Sequence, residues 1–181
     1  LSDKKVKILW REQVYYTQLQ DSVNTIMLDT NYFKTMSDAE RAAIGYVATF
    51  IGSECSWEGE ANEDMSNLSC KLIQALSLGY QCSENHLGFL RKWLAGDQAS
   101  LTRLSDCPLT PYTATQQSTF DNMSIEVIGN VIKITSDANE VNMNNNTVHY
   151  WQQTDTFMVE GEHLTLLKSE RSKERTDNFL S

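Results

Sequence analysis

"SIEVIGNVIKIT" at residues 124–135 reads as a β-hairpin, and it decides the character of the C-terminal half. Gly129-Asn130 is a two-residue turn of the kind whose twist suits paired strands. Folding the chain about it sets Val127 opposite Ile132 and Ile125 opposite Ile134 on one face. Glu126 then falls opposite Lys133 on the other face, an attractive cross-strand pair. Turn chemistry, alternation and charge agree.

Working outward towards the C-terminus, the pattern continues. Three asparagines at 144–146 mark a turn, and "TVHYWQ" after them is a strand. "TFMV" and "HLTLLK" flank another turn at Glu160-Gly161-Glu162. The expectation is an antiparallel meander of four to six strands over about 118–170. The tail from Lys168 is mixed in charge and reads as solvated, with helix at its start. "TPYTATQQST" at 110–119 is polar and serves as a connector or edge segment.

Working outward towards the N-terminus, the period changes. Residues 5–29 read as one long helix, with Leu9, Tyr16 and Val23 seven apart and Ile26 and Met27 extending the stripe. "SDAE" at 37–40 is a capping box, and Ile44, Val47, Ala48 and Ile51 form one helical face behind it. A third helix is expected from about Ser66 to Leu78, stopped by Gly79. Ser83 caps a fourth, with Leu87, Leu90, Trp93 and Leu94 inward and Gly96 at its end. Helices followed by strands give an α+β class. The predicted organisation is a four-helix region over about 5–107, then the meander. The division is 1–109 and 110–181, either as two packed regions or as one domain.

Cys55, Cys70, Cys82 and Cys107 have neither C-x-x-C spacing nor a histidine at finger spacing, which disfavours zinc. An even count fits disulfides and an oxidising compartment: periplasm, outer surface or extracellular space. Antiparallel neighbouring helices would join Cys55 to Cys70 and Cys82 to Cys107. Leu1 opens the chain in place of methionine, so the sequence reads as a mature or trimmed form without its leader. No apolar run approaches the roughly 20 residues that cross a bilayer. The formal charge of −9 disfavours nucleic acid and anionic lipid and favours a basic partner.

The chemistry-bearing stretch is "ECSWEGEANEDMSNLSC" at 54–70, which carries five carboxylates and no basic residue. Its spacing does not match a calcium loop. Glu54, Trp57, Glu58, Glu60, Glu63 and Asp64 together resemble a docking epitope, an aromatic anchor among charges held by a disulfide. His86, His149 and His163 are the only histidines, and nothing in their spacing requires a metal. Nucleophile elbows, zinc-protease helices and phosphate-binding glycine loops are absent from the sequence, so no cofactor is implied. Tyr15, Tyr16, Trp93, Tyr150 and Trp151 read as core more readily than as a ligand platform, with Tyr150 and Trp151 on opposite faces of a strand.

The leading expectation is a non-catalytic extracytoplasmic protein that binds another protein with a basic surface, in the manner of an inhibitor or immunity protein. The alternative is a module that binds a small ligand or carbohydrate on the aromatics of the meander. An enzyme of unrecognised type comes third, with His149, His163 or Glu84 in a deep cleft.

Overall fold

Strand β1 (Lys4–Tyr16) and strand β2 (Asp21–Leu28) come first in the chain. A helical stretch follows: α1 (Thr30–Thr35), α2 (Asp38–Phe50), α3 (Leu68–Leu76), α4 (Glu84–Trp93) and α5 (Gln98–Leu104). The meander β3 (Gln116–Ile128), β4 (Val131–Asn142), β5 (Thr147–Glu160) and β6 (His163–Asn178) completes the chain. This is a computed structural model, and it describes residues 1–52, 68–107 and 116–179, with residues 116 and 117 described by their backbone alone. The class is α+β, with one six-stranded antiparallel sheet in the order β2-β1-β3-β4-β5-β6.

The hairpin at 124–135 has the expected register. Val127 pairs with Ile132, Ile125 with Ile134 and Glu126 with Lys133. Gly129 takes a φ of +59°, a left-handed value that its missing side chain permits. The capping box is also present: the Ser37 hydroxyl accepts from the Glu40 N–H, and the Glu40 carboxylate accepts from the Ser37 N–H. The fourth expected helix starts at its Ser83 cap and runs Glu84–Trp93.

Residues 5–29 are not a helix, and the N-terminal four-helix region is corrected accordingly. The segment is an antiparallel hairpin in which Trp10 pairs with Met27, Val14 with Val23 and Tyr16 with Asp21. Its aromatic and β-branched residues favour a pleated surface, and that preference prevails over the seven-residue spacing. The tail is corrected too, since β6 continues as strand to Asn178. Thus β1 lies beside β3, and chain from both sides of the expected 109/110 division shares one sheet.

One face of the sheet packs on the helices. Val127, Ile125, Ile132, Ile134, Phe157 and Leu164 are buried there, with the Tyr46 ring of α2 edge-on to Phe157 at 6.0 Å. Burying each such side chain contributes about 1.5–3 kcal/mol. α2 packs on the sheet and against both α3 and α4, which is why Ala42, Ala43, Ile44 and Ala48 are all buried. A Cβ at Gly45 would stand 3.2 Å from Leu90 of α4, so glycine sets that close approach. Asp97 links layers: one carboxylate oxygen caps α5 at the Ser100 N–H, and the other accepts from the Leu166 N–H of β6.

Cys82 and Cys107 form the expected disulfide, with Cα atoms 5.9 Å apart. Cys70 is also disulfide-bonded. The expected Cys55–Cys70 pairing involves Cys55, which lies outside the described residues.

Candidate functional site

The helices cover only part of the sheet. β1 pairs with β3 from Lys4 to Leu9, whereas its pairing with β2 runs from Leu9 to Tyr16. Among the described residues, the hairpin beyond Leu9 is therefore a two-stranded arm, roughly 20 Å long at the usual strand rise. Its turn, Thr17–Gln20, is closed by the Leu19 N–H on the Tyr16 carbonyl (3.1 Å). Apolar side chains stand out at its end: Leu19 is 65 % exposed, Tyr15 59 % and Val23 41 %. Tyr15 lies on one face, Tyr16 and Val23 on the other, and Leu19 at the tip. The arm thus offers an aromatic and aliphatic wedge, the residue chemistry enriched at protein interfaces.

The far ends of β5 and β6 form a second feature. Trp151 and Tyr150 face opposite sides of the sheet, as the alternation requires. The Arg171 guanidinium covers the Trp151 ring at 4.1 Å, and Arg175 covers Tyr150 at 4.3 Å. His149 is tilted against Trp151 at 5.5 Å and contacts Thr176 Oγ1 (2.8 Å) and Glu174 Oε1 (3.2 Å). Both partners of the histidine–glutamate contact are well exposed, so it contributes little. Trp151 is only 8 % exposed, and a sugar would reach its ring face only after Arg171 moved aside. On the inner face the Trp151 indole N–H donates to Gln153 Oε1, and Gln153 Nε2–H donates to buried Asp155. Beside this row, the Ser136 hydroxyl is fully buried and has no hydrogen-bond partner.

The three histidines do not converge. His149 and His163 sit at opposite ends of the β5–β6 pair, about 36 Å apart along the strands. His86 is in the helical layer. Its Nε2–H donates to Thr49 Oγ1 at 2.9 Å, because the Thr49 hydroxyl donates to the Gly45 carbonyl. Burial pushes the His86 pKa down to about 4. Glu84 is exposed in the first turn of α4. Among the described residues no group of histidine, cysteine and carboxylates is placed to hold a metal. A depression of about 510 Å³ lies at the other end of the molecule, between Ser37, Asp38, Trp93, Glu160 and Glu162. The Ser37 hydroxyl there is already committed to Glu40.

Glu40 accepts from three side chains, and its role is structural. Burial alone would raise its pKa. Hydrogen bonds from Ser37, Lys4 and Tyr32 outweigh burial and hold the carboxyl below its ordinary value. The distances are 2.6 Å from Ser37 Oγ, 2.9 Å from Lys4 Nζ and 3.0 Å from the Tyr32 hydroxyl. Burial, and then the Glu40 charge, push the Tyr32 pKa up.

The sequence-predicted contact residues Glu54, Trp57, Glu58, Glu60, Glu63 and Asp64 lie outside the described residues. The arm was missed as a site because its segment reads as helix, which turns Tyr16 and Val23 inward. "TQLQ" between the two β-prone runs holds no glycine, proline, asparagine or aspartate, so no residue there marks the turn. The chain matches no protein family model, no curated protein and no solved structure.

Proposed function

We propose that this chain is a non-catalytic extracytoplasmic protein that works by binding another protein, in the manner of an inhibitor or immunity protein. The observation that carries the proposal is the two-stranded arm, with Tyr15, Tyr16, Leu19 and Val23 exposed on both faces and at the tip. Single exposed apolar residues are ordinary, whereas a clustered exposed set is characteristic of docking. The acidic segment from Glu54 to Asp64, with Trp57 among its charges, enters on its sequence and supplies attraction for a basic partner. The Cys82–Cys107 bridge supports an oxidising compartment. No helix among the described residues is long and apolar enough to cross a membrane.

The buried titratable groups support a binding role. Glu40, Tyr32 and His86 are engaged inside the helical layer and along its contact with β1, away from the arm. The test is affinity capture from extract of the source organism with three baits. These are the wild type, Tyr15→Ser with Leu19→Ser, and Trp57→Ala with Glu58→Gln and Glu60→Gln. The expected result is one specific protein retained by the wild type and lost with the arm variant, with weaker retention by the acidic-segment variant. Equal retention by all three baits contradicts the proposal.

A further inference from the structure

The two edges of the sheet are built differently. The β6 edge carries Lys168, Glu170, Arg171, Lys173, Glu174, Arg175 and Asp177, and its register breaks where Lys173 takes a φ of +53°. Charges and a bulge are what keep an edge from pairing. The β2 edge has no bulge, and its one charge, Asp21, stands at its end. From Ser22 to Leu28 it reads Ser-Val-Asn-Thr-Ile-Met-Leu, uncharged and β-prone, and each residue is exposed or half-buried.

The Asp29 N–H donates to the Ile8 carbonyl, which fixes the phase of the β1–β2 ladder. Asp21, Val23, Thr25 and Met27 turn their backbone groups towards β1. Ser22, Asn24, Ile26 and Leu28 turn theirs outward.

We propose that β2 pairs antiparallel with β2 of a second copy of this chain, about a two-fold axis through Thr25. That register brings the outward-facing residues together: Asn24 against Ile26 of the copy, Ser22 against Leu28, and the reverse. Val23 meets Met27 of the copy, and Thr25 meets its own counterpart, both favourable cross-strand pairs. No like charges oppose each other between Ser22 and Leu28. Asp21 faces Asp29 of the copy at the margins, so the dimer strengthens as salt screens that repulsion. The second copy is favoured over a charged strand because an uncharged edge gives a charged partner nothing to recognise, while two copies register about Thr25 with Val23 on Met27 and no charge opposed between Ser22 and Leu28. Over residues 1–29, Lys4, Lys5, Lys7 and Arg11 balance Asp3, Glu12, Asp21 and Asp29, so the segment departs locally from the chain's acidic excess.

The test is sedimentation velocity of the full chain across its soluble concentration range, with circular dichroism to check each variant's fold. Wild type is expected to dimerise, more tightly at higher salt. Thr25→Lys and Thr25→Glu each set like charges across the axis and weaken dimerisation at least about tenfold. An equimolar mixture of the two folded variants restores the dimer by setting opposite charges there. A monomeric wild type at every concentration overturns the proposal. So does a Thr25→Lys dimer as tight as wild type, or a mixture that stays monomeric.

Discussion

Burial opposes the charged form of both Glu40 and His86, and their surroundings decide opposite outcomes. Glu40 receives Lys4, Tyr32 and Ser37, so it stays ionised with a lowered pKa. His86 receives nothing at Nδ1 and stays neutral. For His86 the folded pKa of about 4 lies below the ordinary 6.5. The unfolded chain therefore takes up a proton that the folded chain refuses. Stability falls as pH drops from about 6.5 to about 4, by as much as about 3 kcal/mol from this residue. Chemical denaturation at several pH values is expected to show that slope in the wild type and a flatter one in His86→Gln. For Glu40 the lowered pKa contributes stability above its unfolded value, which is lost as pH falls below about 4.5. Glu40→Gln is expected to cost about 2 kcal/mol at neutral pH, since Lys4 loses its partner but stays partly hydrated. Ser136→Ala tests the opposite case. Removing a buried hydroxyl without a partner is expected to raise stability by up to about 1 kcal/mol in the same assay.

At the scale of elements, legibility followed local chemistry. The 124–135 hairpin was readable because its turn residue, its alternation and the Glu126–Lys133 pair agree. α2 was readable from Ser37 and Glu40. The arm was not, because its turn lacks glycine and asparagine: Gln20 carries the left-handed φ of +51°. Without a turn signal, Leu9, Tyr16 and Val23 resemble a helical stripe. β6 was illegible beyond Lys168 for another reason. Its residues are exposed on both faces, so no apolar alternation marks them as strand. The proposed contact residues from Glu54 to Asp64 were named from sequence chemistry and lie outside the described residues, whereas the exposure of the arm was not legible in the sequence. The arm's turn also yields a prediction. Gln20→Gly relieves a left-handed backbone cost of about 1 kcal/mol and is expected to slow amide exchange across Trp10–Met27. Unchanged or faster exchange there would contradict the turn as described.

At the scale of the whole molecule, the helices are inserted between a hairpin and a meander that belong to one sheet. The core forms where the helices lie on that sheet, and the arm extends beyond it. Tyr15 and Leu19 therefore cost little stability to replace, and their expected effect is on association alone. The Cys82–Cys107 bridge, with a sequence separation of 25, closes a loop around α4 and α5. Replacing both cysteines by serine is expected to cost about 3 kcal/mol, read from the denaturation midpoint. The proposed binding role rests on the arm as the surface that meets a partner. Its most direct test is a photo-crosslinking amino acid placed at Leu19, with the same group at exposed Tyr80 beyond α3 as the control, irradiated in extract of the source organism. Binding through the arm gives one dominant foreign adduct at Leu19 that is missing at Tyr80. No adduct at Leu19, or the same set of adducts at both positions, would contradict it.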